Sequence, residues 1–177
     1  MASVALVSIL CRDRVGLVAA IADCLFEAGV NLRDTMFAAM GQGAEFTAVC
    51  ETPPGVAAAA LEAALQRVPE LDGAQIRVVP YRFDPLPGPM GRITHRITVS
   101  GGDQLGLIAR LAEIFAQNGA NIVRLEAQKL PEAEGGRYVT RFAVWLPPER
   151  ARLCLAAVAN TAGSLGLASS VEEVGAD

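Results

Sequence analysis

Two polar residues recur at a fixed interval: Asp13 and Asn31 return 90 residues later as Asp103 and Asn121. Glycines accompany both pairs, Gly16 with Gly106 near the aspartates and Gly29 with Gly119 just before the asparagines. The chemistry available to such a set is the recognition of a free amino acid. A carboxylate can receive the ammonium group, and an amide offers two donors and an acceptor. A tight turn opening a helix leaves its first backbone N–H groups unpaired at the positive end of the helix dipole, so it holds a carboxylate without a basic side chain. Glycine, lacking Cβ, lets a small ligand or a neighbouring backbone approach closely. Structural roles compete at every position. The aspartates could be N-caps, Gly16 and Gly106 could serve helix-to-sheet packing, Gly29 and Gly119 fit left-handed helix C-caps, and the asparagines could satisfy local turns.

These residues sit inside a longer repeat. Asp13 to Leu32 matches Asp103 to Ile122, with Asp, Gly, Leu, two Ala, Gly and Asn identical and most other positions apolar for apolar. A match that keeps both identities and pattern points to two copies of one unit. Later the register slips: Pro53 and Pro54 correspond to Pro147 and Pro148, so the second copy carries extra residues. Their expected place is a hairpin turn, Gly41 to Gly43 in the first copy and the longer Pro131 to Gly136 in the second.

Each copy reads as β-α-β-β-α-β. In the first, Val4 to Leu10 is an apolar run suited to a central strand. Leu17 to Ala28 has helical spacing, with Val18, Ile21, Ala22 and Leu25 as its stripe and Gly29 as its stop; Ile108, Leu111, Ala112 and Phe115 repeat that stripe. Strands are expected over 33–40 and 45–51, the latter alternating Phe46, Ala48 and Cys50 inward, as Phe142 and Val144 do in the second copy. Second helices are expected over 55–68 and 149–162, closing strands over 75–81 and 168–174, and the first and third strands at the centre of each sheet. The fold class is α+β: two ferredoxin-like βαββαβ domains in tandem, four-stranded antiparallel sheets each with two helices on one face. The expected boundaries are 1–82, a linker over 83–92, and 93–177. The linker's prolines argue against helix or sheet there and for a semi-extended spacer.

Composition narrows the function classes. The net charge is −4 and the basic residues are scattered singly, which argues against direct nucleic-acid binding. Cys11, Cys24, Cys50 and Cys154 are widely separated, without a C-x-x-C pair, and read as small core hydrophobes in a reducing compartment. No membrane-length apolar stretch or signal peptide is recognisable, so a cytoplasmic location is expected. His95, the only histidine, has no metal-ligand companions and is expected at the surface or an interface. Trp145 is expected to supply packing or interface area. Gly101 to Gly106 is glycine-rich before a helix but lacks the Lys and Ser/Thr of a phosphate loop. With no catalytic constellation, metal site or cofactor fingerprint, the reading is a non-enzyme.

The pattern Asp13-Arg14-Val15-Gly16-Leu17-Val18 followed by Gly29-Val30-Asn31-Leu32 resembles the ACT domain, a small amino-acid-binding regulatory module. As two such domains without an attached catalytic or DNA-binding domain, the chain resembles the glycine cleavage system transcriptional repressor family. The resemblance implies a regulatory protein that binds a small amino acid, glycine or serine first, at an interface between ACT domains. It also implies a homodimer and a DNA-binding regulator as protein partner. Carried over by motif, the ligand contacts would be Asp13, Gly16, Leu17, Val18, Asn31 and Leu32 in the first copy. In the second they would be Asp103, Gly106, Leu107, Ile108, Asn121 and Ile122. Two departures stand out: Val15 occupies the family's common proline position, and the second loop reads Gln104-Leu105. A competing reading is a ligand-independent module that dimerises through exposed sheet edges and the apolar run Met36 to Met40.

Overall fold

In the computed structural model, the described residues are 3–84, 86, 88–131 and 136–175. The chain forms two compact units, Met1–Pro85 and Leu86–Asp177. The first contains β1 (Ser3–Arg12), α1 (Leu17–Glu27), β2 (Asn31–Met40), β3 (Gly43–Thr52), α2 (Ala58–Leu65) and β4 (Gln75–Pro80). The second repeats the order with β5 (His95–Gly101), α3 (Leu107–Gln117), β6 (Asn121–Lys129), β7 (Tyr138–Trp145), α4 (Pro148–Ser164) and β8 (Ala168–Glu173). Each sheet is four-stranded and antiparallel, ordered β2-β3-β1-β4 and β6-β7-β5-β8. The first and third strands of each copy are therefore central, as the apolar runs require.

Alternation fixes which sheet face meets the helices. Val7 and Ile9 of β1 and Phe46, Ala48 and Cys50 of β3 are buried, and pack with Ile21, Leu25, Leu61 and Leu65 from the helices. Ile97, Val99, Phe142 and Val144 do the same against Leu111, Phe115, Cys154 and Val158. The first helix of each copy buries Ile21 and Leu25, and Leu111 and Phe115, as expected, but the stripe opens on Leu17 and Leu107 rather than on Val18 and Ile108. Its buried residues are Leu17, Ile21 and Leu25, and Leu107, Leu111 and Phe115, spaced four apart; Val18 is 43% exposed and Ile108 only half-buried. Either leucine or its β-branched neighbour fits the helical period at the first turn, and the sheet selects the leucine.

Gly29 and Gly119 are C-cap glycines, with φ of 71° and 66°. The Val30 N–H donates to Leu25 O and the Gly29 N–H to Phe26 O; Ala120 and Gly119 repeat both bonds to Phe115 O and Ala116 O. This double closure requires a left-handed residue, which glycine supplies without strain. Pro53 and Pro147 pack over these two glycines, where a Cβ would lie 3.1 Å and 3.8 Å from the proline Cγ.

Other expectations shift. The second helix of the first copy begins at Ala58 rather than Gly55, whose φ of +87° is not helical, and ends at Leu65, followed by a 3-10 turn at Pro69–Leu71. The linker is not wholly extended: Pro89–Gly91 forms a 3-10 turn with proline at its first position, where a missing N–H costs nothing. His95 is not a surface residue; it is 8% exposed at the start of β5, its Nδ1 2.9 Å from Thr94 Oγ1. Residues 132–135, within the expected longer hairpin, lie outside the described residues.

Candidate functional site

The loop between β1 and α1 is held at both ends. The Asp13 N–H donates to Gln42 O at 2.9 Å, tying the loop to the β2–β3 turn. Gly16 then occupies the N-cap position of α1 with φ 88° and ψ −6°, and no side chain caps the helix. The N-cap reading of Asp13 is therefore wrong, and Gly106, at φ 80° and ψ 8°, excludes it for Asp103 in the same way. The packing reading of Gly16 and Gly106 also fails, because an added Cβ would meet nothing within 4 Å at either. What these positions require is left-handed backbone, which costs other residues roughly 1–2 kcal/mol.

This turn leaves N–H groups open. Leu17 N–H donates weakly to Arg14 O (3.4 Å) and Ala20 N–H to Gly16 O (3.0 Å), while those of Val18 and Ala19 have no backbone acceptor among the described residues. The second copy repeats this with Leu107 and Arg110 bonded, and Ile108 and Ala109 open. Each loop thus presents two free donors at the positive end of a helix, sufficient to hold a carboxylate. Leu17 and Leu107 turn their side chains into the core, so only their backbone belongs to the site. Val15 and Leu105, unassigned from sequence, project fully into solvent at the loop apices. Their chemistry gave no signal, because an apolar side chain in a loop reads equally well as buried.

The asparagine junctions lie elsewhere. Asn31 pairs in register with Glu51, which pairs with Val4 near the start of β1, whereas Asp13 follows the end of β1 beside Gln42. The two junctions are separated by the length of α1, about 16 Å for eleven residues. The same separation holds between Asp103 and Asn121. One domain does not bring its aspartate loop and its asparagine to the same small ligand.

The copies differ at both ends. The Asp13 carboxylate makes no hydrogen bond or ion pair among the described residues, while Asp103 Oδ2 lies 3.6 Å from Lys129 Nζ. Asn31 Nδ2 donates to Glu51 Oε2 at 3.3 Å, and Arg33 Nη1 bonds Glu51 Oε1 at 2.9 Å, all three at the surface or half-buried. This trio offers a carboxylate, a guanidinium and an amide side by side. In the second copy Trp145 stands opposite Asn121, and the Asn121 amide donates to the Met90 carbonyl of the linker turn at 2.9 Å. Leu32 and Ile122, one residue on, are half-buried against the cores and offer little side-chain surface.

Cys11, next to the first loop, is half-buried, its Sγ 3.9 Å from Ala44 O. Burial pushes its thiol pKa up, with Arg14 opposing and Asp13 adding to the rise, so it is not an activated nucleophile. Burial likewise raises Cys50, to about 11. Among the described residues no group of three His, Cys, Asp or Glu could hold a metal ion, and no helix is long and apolar enough to cross a membrane.

No family model matches the chain, and no curated protein sequence matches it. Solved structures do. An unknown protein from Galdieria sulphuraria superposes with a TM-score of 0.76 at 23% identity, over 99% of this chain and 100% of that one. A protein carrying the provisional description of glycine cleavage system transcriptional repressor superposes at 0.62 with 14% identity, over 99% of both chains. An ACT domain protein from Streptococcus pneumoniae aligns with 45% of this chain and 91% of its own, at 18% identity and a TM-score of 0.41. The likeness is one of fold: over its full length this chain shares with the first two of these structures an architecture of two ferredoxin-like βαββαβ domains in tandem.

Proposed function

We propose that this protein is a regulatory amino-acid sensor whose first copy holds the binding-competent groups. The ligand is a small amino acid, glycine or serine first, taken up where the β1–α1 loop of one ACT domain meets the asparagine junction of another. The observation carrying this reading is the state of the first copy. Among the described residues the Val18 and Ala19 N–H groups behind Gly16 and the Asp13 carboxylate have no partner, and Asn31 stands with Glu51 and Arg33 at the opposite end. A carboxylate suits the open helix N-terminus and an ammonium suits Asp13 or Glu51. Because one domain separates these groups by the length of α1, an interface between domains is the arrangement that lets both act on one ligand. In the second copy Trp145 stands where Glu51 does in the first, the Asn121 amide is taken by the linker and Asp103 faces Lys129, which favours a packing role for that copy.

Regulation follows if the ligand favours one domain arrangement over another, since equal affinity for both shifts nothing. The altered arrangement or self-association is then read by a protein partner, a DNA-binding regulator in the repressor-like version, in the cytoplasm. A thermal-shift screen of the full chain against the common amino acids at millimolar concentration tests this. A ligand present at a hundred times its Kd stabilises by about 2.7 kcal/mol, an easily read rise in Tm. Should no amino acid raise the Tm, the sensor reading fails.

One observation favours the second reading, a ligand-independent dimerisation module: Met36, Phe37 and Met40 are exposed on the edge strand β2. Met36→Glu separates the two by sedimentation. Loss of self-association in a protein that responds to no amino acid supports the module.

A further inference from the structure

The sheet faces turned away from the helices differ between the copies. In the first sheet, Leu6 pairs with Val49 on one side and Val79 on the other, an apolar row. The corresponding row of the second sheet runs Arg124, Ala143, Arg96, Glu172, and the next runs Glu126, Arg141, Thr98, Ser170. Arg96 and Arg124 thus flank the small Ala143 from both sides, with Arg141 one step along the same face of β7. Adjacent strands are about 4.8 Å apart and diagonal neighbours about 7–8 Å, well within the reach of arginine side chains. Around them the surface forms a hollow of about 250 Å³ whose lining includes these three arginines, Thr98, Glu126 and Glu172.

None of the three guanidinium groups makes a hydrogen bond or ion pair among the described residues, although Glu126 stands opposite Arg141 and Glu172 opposite Arg96. Three unbridged guanidinium groups over an alanine floor present donor forks matched to oxyanions. We propose that this face of the second sheet binds a compact multivalent oxyanion of the phosphate class, such as a phosphorylated small molecule. Size and sign set the class. The carboxylates at opposite corners, Glu126 and Glu172, confine favourable potential to the centre of the hollow and repel an extended polyanion such as nucleic acid, in keeping with the net charge of −4. The Thr98 hydroxyl, half-buried in the same hollow, can donate to the bound anion.

The test is a titration of the ¹⁵N-labelled full chain with sodium pyrophosphate at constant ionic strength, followed by backbone amide shifts. Saturable changes are expected around residues 96–98, 124–126 and 141–143. Arg141→Gln should weaken binding about tenfold or more, the loss expected for a charged hydrogen bond. Glu126→Gln, which removes a repelling carboxylate, should tighten it. Arg124→Gln, on the edge strand β6, serves as a second variant if Arg141→Gln perturbs the spectrum of the fold. The proposal is overturned by an absence of saturable shifts, by shifts confined to the amides of Val18, Ala19, Ile108 and Ala109, or by affinity unchanged in both arginine variants.

Discussion

The two copies build the same turn and then surround it differently. Gly16 and Gly106 hold nearly the same left-handed conformation and expose equivalent N–H groups. Yet the Asp13 carboxylate has no partner among the described residues and Asn31 shares Glu51 with Arg33, while Asp103 faces Lys129 and Asn121 is bonded to the linker. Backbone geometry is thus the shared inheritance of the copies, and side-chain partnership is where they part.

The cores diverge in the same spirit. Phe46 lies at an inward position of β3 where the second copy has Thr140, and Ala48 lies where it has Phe142. Bulk has moved two residues along the strand. Phe46→Ala should therefore cost the first unit about 3–5 kcal/mol and leave the second unit's stability intact, read by hydrogen exchange at the core amides of β1 and β5. Equal loss of protection in both units would contradict two separate cores.

The loop comparison is sharpened next by Gly16→Ala and Gly106→Ala. Each forces a Cβ into left-handed backbone and should destabilise its own unit by roughly 1–2 kcal/mol in denaturant unfolding, with nearly equal effects because the turns are equivalent. A much smaller cost at one would show that its turn relaxes. The mildest change is Thr140→Val. The Thr140 hydroxyl is buried without a hydrogen-bond partner among the described residues, so replacing it should stabilise the second unit by about 1 kcal/mol. A loss of stability there would reveal a partner for that hydroxyl.

Much of this fold is legible in the residues. The repeat, the order of elements, the central strands and the inward alternation of Phe46, Ala48 and Cys50 follow from periodicity and punctuation alone. The helix stripe was harder, because Leu17 and Val18 are both apolar at the first turn and only the sheet decides which faces it. Asp13 looked equally suited to capping, since nothing in a single sequence says that a left-handed glycine will take that position. His95 and Thr140 are polar residues at buried positions, where composition argues for the surface. Least legible were Glu51, Lys129 and Met90: each acts across strands or from the linker, and pairing register is not written in local spacing.

The first copy is proposed to bind and the second to pack. Isothermal titration of the stabilising amino acid into Asn31→Ala and Asn121→Ala tests it most directly. Asn31→Ala is expected to abolish binding with the fold intact, while Asn121→Ala binds with nearly unchanged affinity. Undiminished binding in Asn31→Ala, or its loss only in Asn121→Ala, would contradict it.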